Sequence, residues 1–270
     1  MALEQVAQNG LVLLGCGKMG SALLAGWLKA GLPPGSVWVL DPNPTEWLTT
    51  TGVHLNKGLP PAPAVVLLAV KPQMMGDALP GLQALGNGKT LVVSIAAGTS
   101  IARFEAVFGP RTPIVRTMPN TPAMVGRGIT GIVGNTIAGA EGLALAEELM
   151  LAVGEVVRLE TEAQIDAVTG VSGSGPAYVF HLIEAMALAG QAQGLSGEVA
   201  MKLARATVCG AGELAFQSAE PAAQLRINVT SPGGTTAAAL AHLMDPVKGL
   251  TALMTRAVMA AADRGRELSQ

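Results

Sequence analysis

Two glycine-rich runs carry the residue types and spacing best suited to chemistry. The first is Gly15-Cys16-Gly17-Lys18-Met19-Gly20, preceded by the apolar run 11–14 and followed by helical composition over 21–30. Between a strand and a helix this spacing has a physical meaning. Gly15 permits the tight turn, Gly17 lets the backbone approach a pyrophosphate, and Gly20 allows close helix packing. The N–H groups of the opening helix then face the phosphates. This turn reads as a dinucleotide site, against the alternative of a glycine turn without a ligand. The second run is Ser231-Pro232-Gly233-Gly234-Thr235-Thr236 before an Ala-rich stretch. It makes an anion nest at a helix N-terminus, lined by hydroxyls and suited to a small carboxylate. Ordinary capping by Ser231 or Thr235 is its alternative.

Other candidates flank these nests. Asp41 lies about 20 residues past Gly20, where an acidic side chain accepts ribose hydroxyls and repels a 2′-phosphate, favouring NADH. It equally suits a turn before Pro42. Lys71-Pro72 and Ala96-Ala97-Gly98 follow apolar runs, at the sheet edge that carries ligands in open α/β folds. Lys71 there is either solvated or cofactor-facing. Asn120, in a loop stiffened by Pro119 and Pro122, can hold a nicotinamide carboxamide or substrate, or satisfy its own loop. Ser172-Gly173-Ser174-Gly175-Pro176-Ala177 reads as a helix entry or kink whose small residues let another chain approach.

The elements that position these residues follow from short apolar runs. Runs 11–14, 37–40, 64–70 and 91–95 are expected strands, with 114–116, 129–133 and 156–159 as further ones. Fully apolar short strands alternating with helices indicate a parallel sheet covered on both faces, joined by right-handed crossovers. Beyond residue 163 no strand is expected; 178–193, 197–217, 235–244 and 246–268 read as helices. The fold class is therefore an α/β Rossmann-type doubly wound sheet followed by an all-α domain. The expected domains are 1–162, binding the dinucleotide, and 163–270, helical.

Composition narrows the partners. The 270 residues are 50% hydrophobic and 13% charged, with net charge −2. So little charge for so much apolar surface points to burial between subunits, against the alternative that the excess is mostly Ala exposed on helices. No basic cluster and few aromatics argue against nucleic acid, and no apolar run reaches the roughly 20 residues that span a bilayer. Neither the two cysteines nor the three histidines have metal-site spacing, and the cysteines imply a reducing cytoplasm. No metal is expected.

In this order, the motifs resemble those of pyrroline-5-carboxylate reductase, from about residue 11 to 268. The most specific pieces are Asp166-Ala167-Val168-Thr169-Gly170-Val171-Ser172-Gly173-Ser174-Gly175-Pro176-Ala177-Tyr178 and the run from Ser231 to Thr236. The resemblance implies a Rossmann domain, then a helical domain that dimerises by intertwining, with dimers assembling further, commonly into decamers. It implies NADPH or NADH contacts with Gly15, Gly17, Lys18, Met19, Lys71, Pro72, Ala97 and Asn120, joined by Gly20 and Asp41 from the fingerprint. A cyclic imine would have its carboxylate on Ser231, Gly233 and Gly234, beside Thr235, with Thr236 as the catalytic residue near the ring nitrogen. Relatives that prefer NADPH carry small polar or basic residues where this chain has Asp41. Some place a glutamate near the substrate amine; here Ala219 matches that position, and Glu220 receives no role.

The expected reaction is hydride transfer to the imine carbon of 1-pyrroline-5-carboxylate, giving L-proline, the last step of proline biosynthesis. A 3-hydroxyacid dehydrogenase also joins a Rossmann domain to helices, but needs a lysine on the first long helix of its second domain. None occurs over 178–193. A dinucleotide sensor without turnover is the reading outside enzymes, and the intact second nest argues against it.

Overall fold

The computed structural model describes residues 2–268. Eight strands form one sheet in the order β3-β2-β1-β4-β5-β6-β7-β8. They are β1 (Leu11–Leu14), β2 (Val37–Leu40), β3 (His54–Leu55), β4 (Val65–Leu68), β5 (Leu91–Ser94), β6 (Ile114–Met118), β7 (Gly128–Gly134) and β8 (Gly154–Arg158). Helices α1 (Ala2–Asn9), α2 (Lys18–Lys29), α3 (Glu46–Thr50), α4 (Met75–Ala78), α5 (Ile101–Phe108) and α6 (Gly139–Leu151) intersperse them. Then follow α7 (Gln164–Val168), α8 (Gly175–Ala192), α9 (Gly197–Gln217), α10 (Ala222–Asn228), α11 (Thr235–Leu243) and α12 (Leu250–Leu268).

Alternation along the central strands builds a core on each face. Leu11 and Leu13 join a cluster with Leu23, Leu24 and Trp27 of α2 and Leu149 of α6. Val12 and Leu14 face the other way, towards Met75, Phe104 and Phe108. A strand buried on both sides reads as a near-continuous apolar run, because few of its residues meet water.

The expectation of crossovers throughout fails at one connection. β7 runs antiparallel to β6, with Thr117 opposite Ile132. The link over 119–127 is shorter than the dozen or more residues a crossover needs, so the chain doubles back. β8 returns to parallel pairing after α6.

Contacts divide the chain into a first unit, residues 1–173 with 261–270, and a second, 174–260. The dividing line falls later than the change in composition, since α7 and the π-helical turn Thr169–Gly173 pack with the sheet. Gly131, for example, has Val168 against it, and Gly173 has Met118. The end of α12 also belongs to the first unit, where Gly98 meets Leu268 and Gly265 meets Asp166. The second unit has a small core of its own: Ala187, Ala200 and Ala204, with Ile183 against them. Phe180, Leu188, Leu203, Leu214 and Phe216 are exposed there. Among the described residues, no helix is long and apolar enough to cross a membrane.

Candidate functional site

The first nest sits where β1 meets α2. Gly15 has φ +87°, and a Cβ there would lie 2.8 Å from Val70 and 3.0 Å from the Ala69 carbonyl oxygen. Gly20 is packed still closer, its notional Cβ 2.5 Å from the Gly15 oxygen. At Gly17 a Cβ would meet nothing within 4 Å. The three glycines thus serve three ends: a left-handed turn, an open approach and a tight contact. Gly17 is the N-cap of α2 and no side chain caps that end. Its first amides and the positive end of a twelve-residue helix therefore face the open ground above Gly17. This cradle fits a pyrophosphate.

Asp41 shapes the nest from the neighbouring strand. Its Oδ2 accepts from the Cys16 amide at 2.6 Å, and its Oδ1 from Asn43 N at 2.8 Å. Asn56, at φ +52°, donates to the Asp41 carbonyl oxygen and accepts from its amide. The turn-forming role therefore exists, with a tie to the glycine loop that the sequence does not reveal. The Cys16 thiol is pushed up to about 12, first by burial and then by the Asp41 carboxylate. At neutral pH it is a neutral, buried group, unsuited to nucleophilic chemistry.

The remaining first-unit candidates lie along the ends of the strands. Lys71 is exposed, ahead of a short turn opened by Pro72. Ala97 is partly buried in the turn after β5. Asn120 is buried, and its Oδ1 accepts from Ile129 N at 3.0 Å across the β6–β7 connection. It satisfies its own loop, as one of its two readings requires. Lys18 and Met19 open α2 beside Gly17.

The second nest belongs to the second unit. Gly233 has φ +68°, with nothing within 4 Å of a notional Cβ. Gly234 N donates to the Ser231 oxygen at 3.0 Å, closing the turn. Gly234 is the N-cap of α11, and no side chain caps that helix. Capping by Ser231 or Thr235, the structural alternative, is therefore not adopted. Thr236 is partly buried in the first turn, while Ser231 and Thr235 are exposed. Glu220 is engaged by Asn228, whose Nδ2 donates to it at 2.8 Å.

One buried polar group escaped sequence reasoning. Arg116 lies inside β6 and pairs with Glu162 at 2.9 Å. A lone arginine within an apolar strand was the available signal. Among the described residues no group of three or more His, Cys, Asp or Glu side chains is placed to hold a metal ion.

Two family models match the chain. Residues 162–268 match pyrroline-5-carboxylate reductase dimerisation, and residues 10–98 match NADP oxidoreductase coenzyme F420-dependent. The pyrroline-5-carboxylate reductase of Pseudomonas aeruginosa is 40% identical over 266 residues, covering 96% of this chain and 97% of the relative. That of Synechocystis is 47% identical over 206 residues, covering 76% and 75%. Among solved structures, a pyrroline-5-carboxylate reductase from Coxiella burnetii superposes with a TM-score of 0.90 at 35% identity, covering 97% of this chain and 99% of the other. A Plasmodium falciparum pyrroline carboxylate reductase with NADP bound has a TM-score of 0.82 at 29% identity, covering 97% and 98%.

Proposed function

The chain belongs to the pyrroline-5-carboxylate reductase family, and from that premise we propose how its residues divide the work. The reaction is the NAD(P)H-dependent reduction of 1-pyrroline-5-carboxylate to L-proline. The observation that carries the residue assignment is the uncapped, open nest from Ser231 to Thr236 at the start of α11.

In this reading Gly15, Gly17, Lys18, Met19 and Gly20 seat the pyrophosphate, with Asp41 beneath them. Lys71, Pro72, Ala97 and Asn120 line the rest of the cofactor's path. When bound, the dinucleotide supplies a hydride. Ser231, Gly233, Gly234 and Thr235 hold the substrate carboxylate with N–H groups and hydroxyls. A C–H bond forms at C5 while the C=N π electrons move onto nitrogen, and the protonated imine becomes an amine. Thr236 hydrogen-bonds that nitrogen. Orientation does most of the work, since donor and acceptor held at roughly 3–3.5 Å gain several kcal/mol over a random encounter.

We further propose that Asp41 favours NADH by repelling a 2′-phosphate. The domain assignment follows the same reading: 1–162 for the dinucleotide, 163–270 for substrate and dimerisation. The exposed apolar side chains of the helical unit support a homodimer that assembles further, as in a decamer. We place the protein in the cytoplasm, because Cys16 and Cys209 are both free. Nucleic acid and membrane are not among its proposed partners.

The decisive experiment compares NADH and NADPH oxidation with pyrroline-5-carboxylate, in the wild type and in Gly233→Val. At φ +68° a valine both strains the turn and fills the open ground of the second nest, and should abolish turnover while leaving dinucleotide affinity intact. Turnover within twofold of wild type would remove that nest from the substrate site.

A further inference from the structure

Arg116 is 3% exposed. Its Nη1 donates to Glu162 Oε1 at 2.9 Å, and that same oxygen accepts from the Ile101 amide at 2.8 Å. Ile101 is the first residue of α5. One carboxylate oxygen thus joins a buried guanidinium to a helix N-terminus. Nε and Nη2 of Arg116 and Oγ1 of Thr99, two residues before Ile101, are buried without a hydrogen-bond partner among the described residues.

This arrangement is poor as a stabilising device. The Arg116 side chain is 4% exposed and that of Glu162 32%, so a buried guanidinium loses its hydration against one half-buried carboxylate, and its unpaired buried donors carry a further penalty. Groups kept at such a cost call for an explanation other than stability.

What the pair holds is the turn after β5. In the parallel ladder Arg116 lies opposite Ser94, the last residue of that strand. Glu162 fixes Ile101, the residue at which the turn becomes helix. The turn between these two points contains Ala97. Further ties act at its upstream end: Thr117 Oγ1 donates to the Ser94 carbonyl oxygen at 3.0 Å, and Ile95 N donates to the Leu68 oxygen at 3.1 Å. At the downstream end Ser100 caps α5 locally, through the Arg103 amide, and Glu162 supplies the long-range anchor.

We propose that Arg116 and Glu162 are positioning residues for the reductase reaction: together they hold the backbone of the Ala97 turn, which would line the dinucleotide when it is bound. The inference rests on the reading of Ala97 as a cofactor contact. Neither side chain touches substrate. Their effect passes through the backbone of residues 95–101, and hydride transfer is sensitive to displacements of about 1 Å. Binding of the dinucleotide depends mainly on the Gly15–Gly20 nest, which the pair does not contact.

The test uses the full-length enzyme with pyrroline-5-carboxylate and dinucleotide deuterated at C4. Glu162→Ala should lower kcat per folded protein about tenfold or more. Dinucleotide Kd should stay within about threefold, and the deuterium isotope effect on kcat should rise as the chemical step becomes limiting. Glu162→Gln keeps an acceptor oxygen for Ile101 N and should retain kcat within about threefold of wild type. Equal losses in the two variants, or an Ala variant within twofold of wild type, would overturn the proposal. If Glu162→Ala fails to fold, the double variant Arg116→Met, Glu162→Leu leaves neither charge buried alone. It should show the same loss of kcat, and full activity would overturn the proposal. Amide exchange gives a readout independent of turnover. The Ile101 amide must exchange faster in Glu162→Ala than in wild type or Glu162→Gln, and unchanged exchange sinks the tie. A wild-type enzyme inactive on pyrroline-5-carboxylate would instead count against the functional reading.

Discussion

The sheet unit encloses two hydrophobic clusters, one on each face, in which Trp27, Phe104 and Phe108 are fully or almost fully buried. The helical unit gathers three alanines and Ile183, and leaves Phe180, Leu203 and Phe216 in water. Helices rich in Ala and Leu form readily in both cases. They differ in where the apolar faces go. The sheet supplies a surface on which α2, α5 and α6 bury their stripes within one chain. The helices from α8 to α11 leave theirs exposed, and they fall within the residues that match pyrroline-5-carboxylate reductase dimerisation; in the proposed homodimer another copy covers them. On that proposal one half of the chain is self-sufficient and the other depends on a second copy, and substitutions should separate the halves.

The largest effect is expected in the self-sufficient half. Trp27 is fully buried and its Nε1 donates to the Leu149 oxygen at 2.8 Å. Trp27→Ala should cost about 3–5 kcal/mol. Urea unfolding at several protein concentrations should show the same loss at each, and a loss below about 1 kcal/mol would mean the site collapses without penalty. Phe180→Ala should cost about 1.5–3 kcal/mol, but as weakened dimerisation. Sedimentation at falling concentration should then reveal monomer, whereas a dimer as tight as wild type would put Phe180 outside the interface.

Smaller effects compare the two nests. Thr236→Ala should lower kcat about tenfold, equivalent to about 1.4 kcal/mol, with dinucleotide affinity unchanged. An unchanged kcat removes Thr236 from the mechanism. Asp41→Ala removes the acceptor for Cys16 N and Asn43 N, and should cost about 1 kcal/mol of stability. The same variant should raise the NADPH-to-NADH ratio of kcat/KM; an equal ratio would leave Asp41 as a loop former alone. The least effect at neutral pH belongs to Cys16. Its pKa is raised from 9.0 to about 12, so the folded state holds the proton more tightly. That contribution is whole below pH 9 and is lost as pH rises towards 12. Melting curves of Cys16→Ala should therefore decline less steeply than wild type above pH 9; parallel curves would contradict the shift.

Much of this was legible in residue order. Short apolar runs marked β1, β2, β4 and β5 because strands covered on both faces read as near-continuous apolar runs. The helix expected over 197–217 has those bounds, and Ser196 caps its start through Val199 N. Less visible were β3, two half-buried residues, and α6, whose weakly patterned, alanine- and glycine-containing sequence carries little periodic signal. Helices α1 and α10 are short, eight and seven residues, and leave little room for a periodic pattern. The reversal at β7 depended on the length of one loop, which periodicity does not encode.

At the site the division is similar. Glycine spacing between a strand and a helix marked the first nest, and glycines with hydroxyls at a helix start marked the second, because glycine tolerates positive φ and close backbone approach. Composition also signalled subunit burial, since half the residues are hydrophobic and few are charged. Tertiary structure supplied partners for these polar groups that the residue order does not show. Asp41 turned to Cys16 and Asn43, Asn120 to Ile129, and Arg116 to Glu162, while Ser231 and Thr235 left α11 uncapped. The physical reason is range. Backbone freedom and hydrophobic periodicity are properties of neighbouring residues, whereas a hydrogen bond between positions 16 and 41, or 116 and 162, exists only once the sheet has brought them together.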